Sequence, residues 1–562
     1  MTDHRALARL IKVARGEEAD LLLLNARVIN VFTSEVEEGN VAISEGRVAG
    51  VGDYHRGKEV IDLQGRYLSP GFINGHVHIE SSLVSLTEYA RAVVPHGTSA
   101  VVSDLHEIAN VCGMKGIKSI LREASSLPLR LYVMLPSCVP STDRETSGSE
   151  VSLDDIRLAL KWKGVRGLGE VMSIPQVLSG DEKTLLKISS CSQMIVDGHA
   201  PRLSGKKLNA YISAGISSDH ESVTLEEAQE KLGKGMRVMI REGSAAQNLS
   251  SLLPLVEDDN YHRFLLVTDD VSPSDLMKGE MDNVVRKAVE RGLNPLRAIQ
   301  LSTINPASYF GLHTSGAIAP GYRADLVAFF DLTHIKPDMV FFEGKLTAKD
   351  GMPLFSPLPP EHEELQSTVN IKPFTLDDLK MPEEGKYLPI IKVFPREILT
   401  QKCYEELKVS QGCIVPDVER DILKAVVVER HKGSGNMGKG MVKGFGLRKG
   451  AMASSFSHDA HNVVAVGTND HDVNQAILEI EKNQGGMILC SDGRILSFLP
   501  LPLAGLLSDQ KVGEVAKCMS HLEEMAHDLG CRLPSPFATL SFLALPVVPE
   551  VRLTDRGIVE VD

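Results

Sequence analysis

The run Gly71-Phe72-Ile73-Asn74-Gly75-His76-Val77-His78-Ile79-Glu80-Ser81-Ser82 sets two histidines two residues apart inside a short apolar stretch. In a strand, residues i and i+2 project to the same face, so His76 and His78 stand side by side and can chelate one cation. Asn74-Gly75 ahead of them permits a sharp turn or a close approach. Taken alone, such a pair is more often two solvated histidines at a polar strand end. What decides between the readings is whether further ligands arrive at matching positions downstream.

Before this stretch the chain reads as a leading helix over 1–17, then short β-type runs at 20–25, 27–32, 40–44, 47–51, 60–63 and 67–68, with Glu45-Gly46 as a turn. Residues 1–70 are therefore expected to form the N-terminal part of a small β module. From residue 71, apolar runs of strand length alternate with helical stretches. The runs lie at 72–78, 100–104, 129–135, 165–172, 193–199, 215–218, 237–240 and 264–268. Eight alternations match an α/β fold of the (β/α)8 TIM-type barrel, expected over 71–311. An open doubly wound sheet is disfavoured, because no dinucleotide fingerprint stands at the first turn.

After Gly311 the β texture returns at 316–329 and 340–344. Residues 312–360 are expected to supply the returning strands of the β module, making a small β-sandwich built from both barrel flanks. A Pro-rich linker (Pro353, Pro357, Pro359, Pro360) leads to a C-terminal α+β domain over 370–562. Its strands are expected at 422–429, 462–467, 486–491 and 494–500, and its helices at 470–483 and 511–529.

With 562 residues, 43% of them hydrophobic and 24% charged, the chain has the composition of a globular protein with a large core. Its net charge of −14 argues against nucleic acid as the main partner and leaves a small neutral heterocycle open. The eight cysteines are scattered and form no CxxC pair, which favours reduced thiols and a cytoplasmic enzyme over a disulfide framework. No signal-peptide core is read in residues 1–20, and the leucine run at 21–24 is too short to span a membrane.

In such a barrel, functional side chains gather at the C-terminal strand ends. Strand one ends with His76 and His78, and strand two with Asp104, His106 and Glu107. Strand four carries Glu170, strand five ends at His199, and strand six at His220 and Glu221. Strand seven ends with Arg241-Glu242-Gly243-Ser244 and strand eight with Thr268-Asp269-Asp270. Any one histidine here is more often structural than a ligand. Together His76, His78, Glu170, His199, His220 and Asp269 share one face of one barrel. Random placement of 18 histidines rarely puts four there with two carboxylates among them.

Six N/O ligands exceed a four-coordinate catalytic zinc site that must also hold water. They suit a pair of divalent ions bridged by a carboxylate. His76, His78 and Asp269 are assigned to one ion, His199 and His220 to the other, and Glu170 to the bridge. A water shared by two ions ionises near neutral pH, and Asp269 is placed as its general acid/base. With no thiolate, the set is compatible with Mn2+, Fe2+ or Zn2+.

This ligand order resembles the amidohydrolase superfamily. Within it, several longer strings resemble the bacterial adenine deaminase family: GFINGHVHIESS (71–82), DLHEIANV (104–111), GEVM (169–172), DGHAPRLSGKKLN (197–209), SDHE (218–221), REGSAAQNL (241–249), TDD (268–270) and SHDAHN (457–462). They reach across nearly the whole chain. Glutamate at 170 separates it from hydantoinase- and dihydroorotase-like relatives, which carry a carbamylated lysine on strand four. Leu105 stands where the family usually has proline, and Ser173 where it often has asparagine; neither is an expected ligand.

The resemblance implies hydrolytic deamination of adenine to hypoxanthine and ammonia in purine salvage, by a metal-activated hydroxide attacking C6. It implies Mn2+ as the metal and a homo-oligomer, a dimer. Asp269 and Glu170 are then the catalytic residues, with Asp104, His106, Glu107 and Glu221 shaping the pocket. Ser457, His458, Asp459 and His461 have side chains suited to reading a purine edge; the competing reading is a polar loop of an auxiliary domain. The alternative function is another amidohydrolase acting on a cyclic amide or N-acyl amine. A purine-binding metalloprotein without turnover is the third reading.

Other patterns carry less. His78-Ile79-Glu80 matches the HxE half of the other zinc deaminase signature, but no PCxxC follows. Residues 433–438 match GxGxxG, yet the basic, glycine-rich stretch to residue 450 cannot open a good helix. It is read as a flexible, solvated loop or an entrance lid. No Walker loop or GxSxG elbow is present.

Overall fold

The computed structural model describes residues 4–357, 362–383 and 388–561. Residues 1–3 of the expected leading helix, and Pro359 and Pro360 of the expected linker, lie outside these.

Eight short parallel strands close a ring. Phe72–His78, Thr98–Asp104, Arg130–Leu135, Val165–Val171 and Ile195–Gly198 pair in sequence order, as do Ser218–Asp219, Arg237–Arg241 and Phe264–Val267. The Ser217 amide donates to the Val196 carbonyl at 3.0 Å across one seam. Asp269–Asp270 closes the other by pairing with the first strand, Asp269 opposite Val77. Strands buried on both faces read as continuous apolar runs, which is why they stand out in the sequence. Ile73, Val102, Met134, Leu265, Val267 and Phe310 fill the interior as one apolar cluster.

The first strand changes phase on its way out of that cluster. Ile73 faces it, and a Cβ on Gly75 would meet Leu265 Cδ2 at 2.9 Å, so Gly75 faces it too. Asn74 points the other way, donating to Glu280 Oε1 at 2.6 Å beside Tyr89 of the helix Leu86–Val93. Between Asn74 and Val77 the register with the second strand slips by one residue. Such a bulge re-aims the side chains beyond it. His76 and His78 thereby take over the inward face, where simple alternation from Ile73 would have turned them outward.

The strands flanking the barrel join in one nine-stranded sheet. Tyr67–Pro70 is its junction, parallel to Ala19–Asn30 on one side and antiparallel to Leu326–Phe329 on the other. Leu21, Val28, Ile43, Leu68, Leu326 and Phe341 form its apolar core. The separate runs expected at 20–25 and 27–32 are one strand, Ala19–Asn30. Its register slips beside Asn25, whose φ of 54° breaks the apolar pattern in two.

The C-terminal region is built on an eight-stranded sheet with the helices Asp470–Lys482 and Val512–Asp528 packed against it. Met437–Lys443 is an inner strand of this sheet, paired with Ile422–Val428 and Pro389–Lys392. Arg430 just before it is fully buried. The solvated flexible loop or lid expected over this basic run is therefore corrected. Its glycines serve close packing: a Cβ at Gly438 would lie 1.8 Å from the Thr554 carbonyl of the hairpin that covers that face. Among the described residues, no helix is long and apolar enough to cross a membrane.

Candidate active site

Six side chains converge at the C-terminal mouth of the barrel. Glu170 stands between two histidine pairs. Its Oε1 lies 2.8 Å from His78 Nε2 and 3.4 Å from His76 Nε2. Its Oε2 lies 3.1 Å from His199 Nδ1 and 3.6 Å from His220 Nε2. Asp269 Oδ1 faces the first pair, 3.5 Å from His76 and 3.3 Å from His78. The two pairs are themselves adjacent, His76 stacking on His220 at 4.1 Å. Five of the six are buried; His199 forms the more open side.

Some of these atoms pair directly, His199 Nδ1 lying 3.1 Å from Glu170 Oε2 and 3.2 Å from His220 Nε2. Among the described residues, His76 Nε2 is buried without a hydrogen-bond partner, although it lies 3.4 Å from Glu170 Oε1 and 3.5 Å from Asp269 Oδ1. Buried polar atoms left unsatisfied are costly, and a cation placed among them would satisfy several at once. The sets His76–His78–Asp269, His76–Glu170–His220 and His199–His220–Glu221 each bring their ligand atoms within 4.8 Å of one another. Imidazole and carboxylate donors without sulfur suit a divalent ion. His78 Nδ1 lies 3.2 Å from the Asp104 carbonyl; a carbonyl only accepts, so Nδ1 carries the proton and Nε2 is free to ligate.

The electrostatics are mutual. Burial would lower His78, but Glu170 and Asp269 raise it well above its ordinary value. Burial opposes ionisation of Glu170, yet His78 and His220 hold it well below the usual carboxylate range. Asp269 is likewise opposed by burial and held low by His76, His78 and Arg241.

A second group joins the barrel to the C-terminal region. His106 and Glu107 open the first of two helical segments in His106–Ala124, which is broken at Gly113, where φ is 61° and ψ −153°. His106 packs on His78 at 4.7 Å between ring centroids, and its Nδ1 lies 3.7 Å from Asp104 Oδ1. Glu107 Oε1 meets His458 Nδ1 at 2.6 Å, and Oε2 meets His461 Nε2. The Ser457 amide donates to His461 Nδ1 at 3.0 Å, so Nε2 carries the proton given to Glu107. Asp459 brings a carboxylate oxygen within 4.8 Å of His106 and Glu107. Burial opposes ionisation of Glu107, but His458, His461 and His106 hold it well below the usual range.

The structure brings His76, His78, Glu170, His199, His220 and Asp269 together, with Glu221 Oε1 3.4 Å from His220 Nε2, and joins Glu107 to His458 and His461, to which Ser457 presents its amide; Glu242, also at the end of strand seven, pairs instead with Lys287 at 2.9 Å. The structure adds Arg241, which donates to both Asp269 and Glu221. Its position at the end of strand seven, inside the REGSAA string, was the available signal. Asn74 and Glu280 were also missed; they brace the first strand from behind, and nothing in their local sequence marks them.

A parallel barrel with histidines on strands one, five and six and carboxylates on four and eight defines the class, and the chain belongs to the amidohydrolase family, whose family model matches residues 67–347. The C-terminal region narrows this, since the model "Adenine deaminase C-terminal domain" matches residues 397–562. Within the class the chain belongs to the adenine deaminases. It is 52% identical over 558 residues to a protein of that name from Dehalococcoides mccartyi, covering 99% of this chain and 98% of that one. It is 46% identical to adenine deaminase 2 of Carboxydothermus hydrogenoformans, covering 98% of this chain and 97% of that one. It is 45% identical to adenine deaminase of Archaeoglobus fulgidus, covering 100% of this chain and 97% of that one.

Proposed function

We propose that the protein hydrolyses adenine to hypoxanthine and ammonia at the mouth of the barrel. The observation that carries this reading is Glu170, whose two oxygens each face a different pair of histidines. His76, His78 and Asp269 would hold one divalent ion, His199 and His220 a second, and Glu170 would join them. Bound Mn2+, Fe2+ or Zn2+ would supply acidification of a water to a nucleophile near neutral pH.

The remaining work falls to the chain's own groups. In the net reaction a C6–O bond forms and the C6–N bond to the amine breaks. The two protons of water end on the adjacent ring nitrogen and on the departing ammonia. Asp269 moves a proton through Oδ1 while Arg241 holds Oδ2 in place. Asp104, His106 and Glu107 offer polar side chains beside the centre for the ring nitrogen. The 457–461 segment packs against Glu107 through His458 and His461. In this reading the catalytic barrel is 71–311, the β module 1–70 with 312–360, and the C-terminal domain 370–562.

The test is ammonia release from adenine by protein loaded separately with Mn2+, Fe2+ and Zn2+. Hypoxanthine and ammonia in equal amounts are expected. Two bound ions with adenine untouched would overturn the reading, and turnover of a hydantoin or an N-acyl amine would replace it.

A further inference from the structure

Glu145 stands on the long loop between the third barrel strand, Arg130–Leu135, and the helix Leu153–Ala159. That loop is pinned from two sides. Thr146 donates its amide and hydroxyl to Asp555 at 2.9 and 2.7 Å, and its carbonyl accepts from Asn462 Nδ2 at 3.0 Å. The Ser147 hydroxyl donates to the Asn110 carbonyl at 3.0 Å. The loop is thus wedged between the helix that carries Glu107 and the segment 457–462.

Glu145 is 5% exposed and its Oε1 has no hydrogen-bond partner among the described residues. Asp459 is 4% exposed with Oδ2 unpartnered, and Ser457 Oγ is buried and unpartnered as well. Leaving such atoms unpaired destabilises a fold, and three of them at this junction of the barrel with the C-terminal region indicate a polar ligand that pairs with them.

We propose that Glu145 is a specificity residue that binds the five-membered-ring edge of the free purine base, pairing with N9–H and N3. This rests on the reading of the protein as an adenine hydrolase. C6 must then lie at the metal-ligating end, where His106 packs on His78. The opposite purine edge then falls on the side of Asp459, which has a carboxylate oxygen within 4.8 Å of His106 and Glu107, and of Glu145, whose carboxyl feels the charges of both Asp459 and Glu107. That edge presents a donor, N9–H, next to an acceptor, N3. A protonated carboxyl presents an acceptor next to a donor and matches it. Burial, reinforced by the charges of Asp459 and Asp555, raises Glu145 well above the ordinary glutamate value and so favours this acid form. A base substituted at N9, as in a nucleoside, has no proton to give and sets its substituent against Glu145. A site built to bond an N–H rejects a ligand lacking it far more strongly than an apolar pocket does.

The experiment compares kcat/KM for adenine and 9-methyladenine in the metal-loaded wild type, Glu145→Gln and Glu145→Ala. Metal content and thermal midpoint are measured alongside. The wild type should prefer adenine by at least about 10³-fold. Glu145→Ala should lose about 10²-fold on adenine, chiefly through KM, and change little on 9-methyladenine, so the preference narrows. Glu145→Gln keeps a neutral acceptor and donor and should stay within about fivefold of wild type. Neither variant removes a hydrogen bond within the protein, so neither should lower the thermal midpoint. An adenine preference that survives Glu145→Ala overturns the proposal, as does an equal loss in both variants with a falling midpoint. A wild type that releases no ammonia from adenine overturns instead the reaction on which the proposal rests.

Discussion

Arg241 donates through Nη1 to Asp269 Oδ2 at 2.8 Å, and the same nitrogen reaches Glu221. One oxygen of Asp269 is thereby committed, and the other, Oδ1, is left facing His76 and His78. Asp269 also holds a left-handed backbone conformation, with φ 63°, which few residues other than glycine, asparagine and aspartate adopt readily. The guanidinium and the backbone together fix the side chain.

Arg241→Gln should therefore lower kcat by about 10²-fold, the usual worth of a positioned proton-transfer group, with a small change in KM. Bound metal should stay near wild type, because the ligand atoms themselves are untouched. Steady-state kinetics with metal quantification on the same sample checks this. A parallel loss of metal would mean that Arg241 holds the centre together rather than orienting Asp269.

Glu170 gives an asymmetric prediction about metal binding. Because each of its oxygens faces a different histidine pair, Glu170→Gln should lower occupancy of both ions. His220→Asn should lower occupancy of one, leaving the site around His78 and Asp269. Metal-to-protein ratios after dialysis against a weak chelator distinguish the two. Equal losses in the two variants would count against a bridging role.

The junction between barrel and C-terminal region should respond to pH. Burial would lower His458, but Glu107 raises it from 6.5 to about 9. A group raised on folding contributes stability that is full below its unfolded value and fades as pH climbs through the folded one. The His458 contribution should therefore decline from about pH 6.5 and be gone above about pH 9. Glu107 runs the other way: its folded value is depressed, so its contribution is present above about pH 4.5 and is lost as pH falls through the lower folded value. Thermal midpoints of the wild type should fall between pH 7 and 10 more steeply than those of His458→Asn. Superimposable profiles would remove His458 from the junction.

Much of this arrangement was open to sequence reading, for a physical reason. Strands of a parallel barrel are buried on both faces, so their apolar runs are unbroken, and the first polar residues after each run mark the mouth. His76, His78, Glu170, His199, His220 and Asp269 could be collected that way without any contact information. Arg241 could not be assigned a partner, because its contacts depend on how the ends of strands six, seven and eight approach one another. The bulge after Asn74 is silent in sequence, since alternation predicts the shared face of His76 and His78 but not which face it is. The strand Met437–Lys443 was hidden because its glycines and lysines imitate a solvated loop, while the reason for those glycines is a hairpin more than one hundred residues later. The Glu107–His461 pair spans 354 residues and no local signal announces it.

Arg430 links that pair to the core of the C-terminal sheet. It is fully buried, and its guanidinium donates to the backbone carbonyls of His461 and of Ala504, the latter at 2.9 Å, with Thr368 at 3.4 Å. Burial lowers its pKa to about 10, which still leaves it charged at neutral pH. Next to it, His431 Nε2 meets the Ala460 carbonyl at 2.6 Å, so two successive residues grip the segment that presents His461. Arg430→Met would strand buried carbonyls at roughly 1–3 kcal/mol each. It should lower the thermal midpoint and, because His461 is then free to leave Glu107, raise KM for adenine about tenfold or more with a smaller effect on kcat. Arg430→Lys replaces the planar fork with a point charge that cannot reach all three carbonyls, and should recover stability better than it recovers KM. If the two variants lose stability and KM in the same proportion, Arg430 only supports the fold. If KM recovers less than stability does in Arg430→Lys, the guanidinium sets the position of His461 against Glu107.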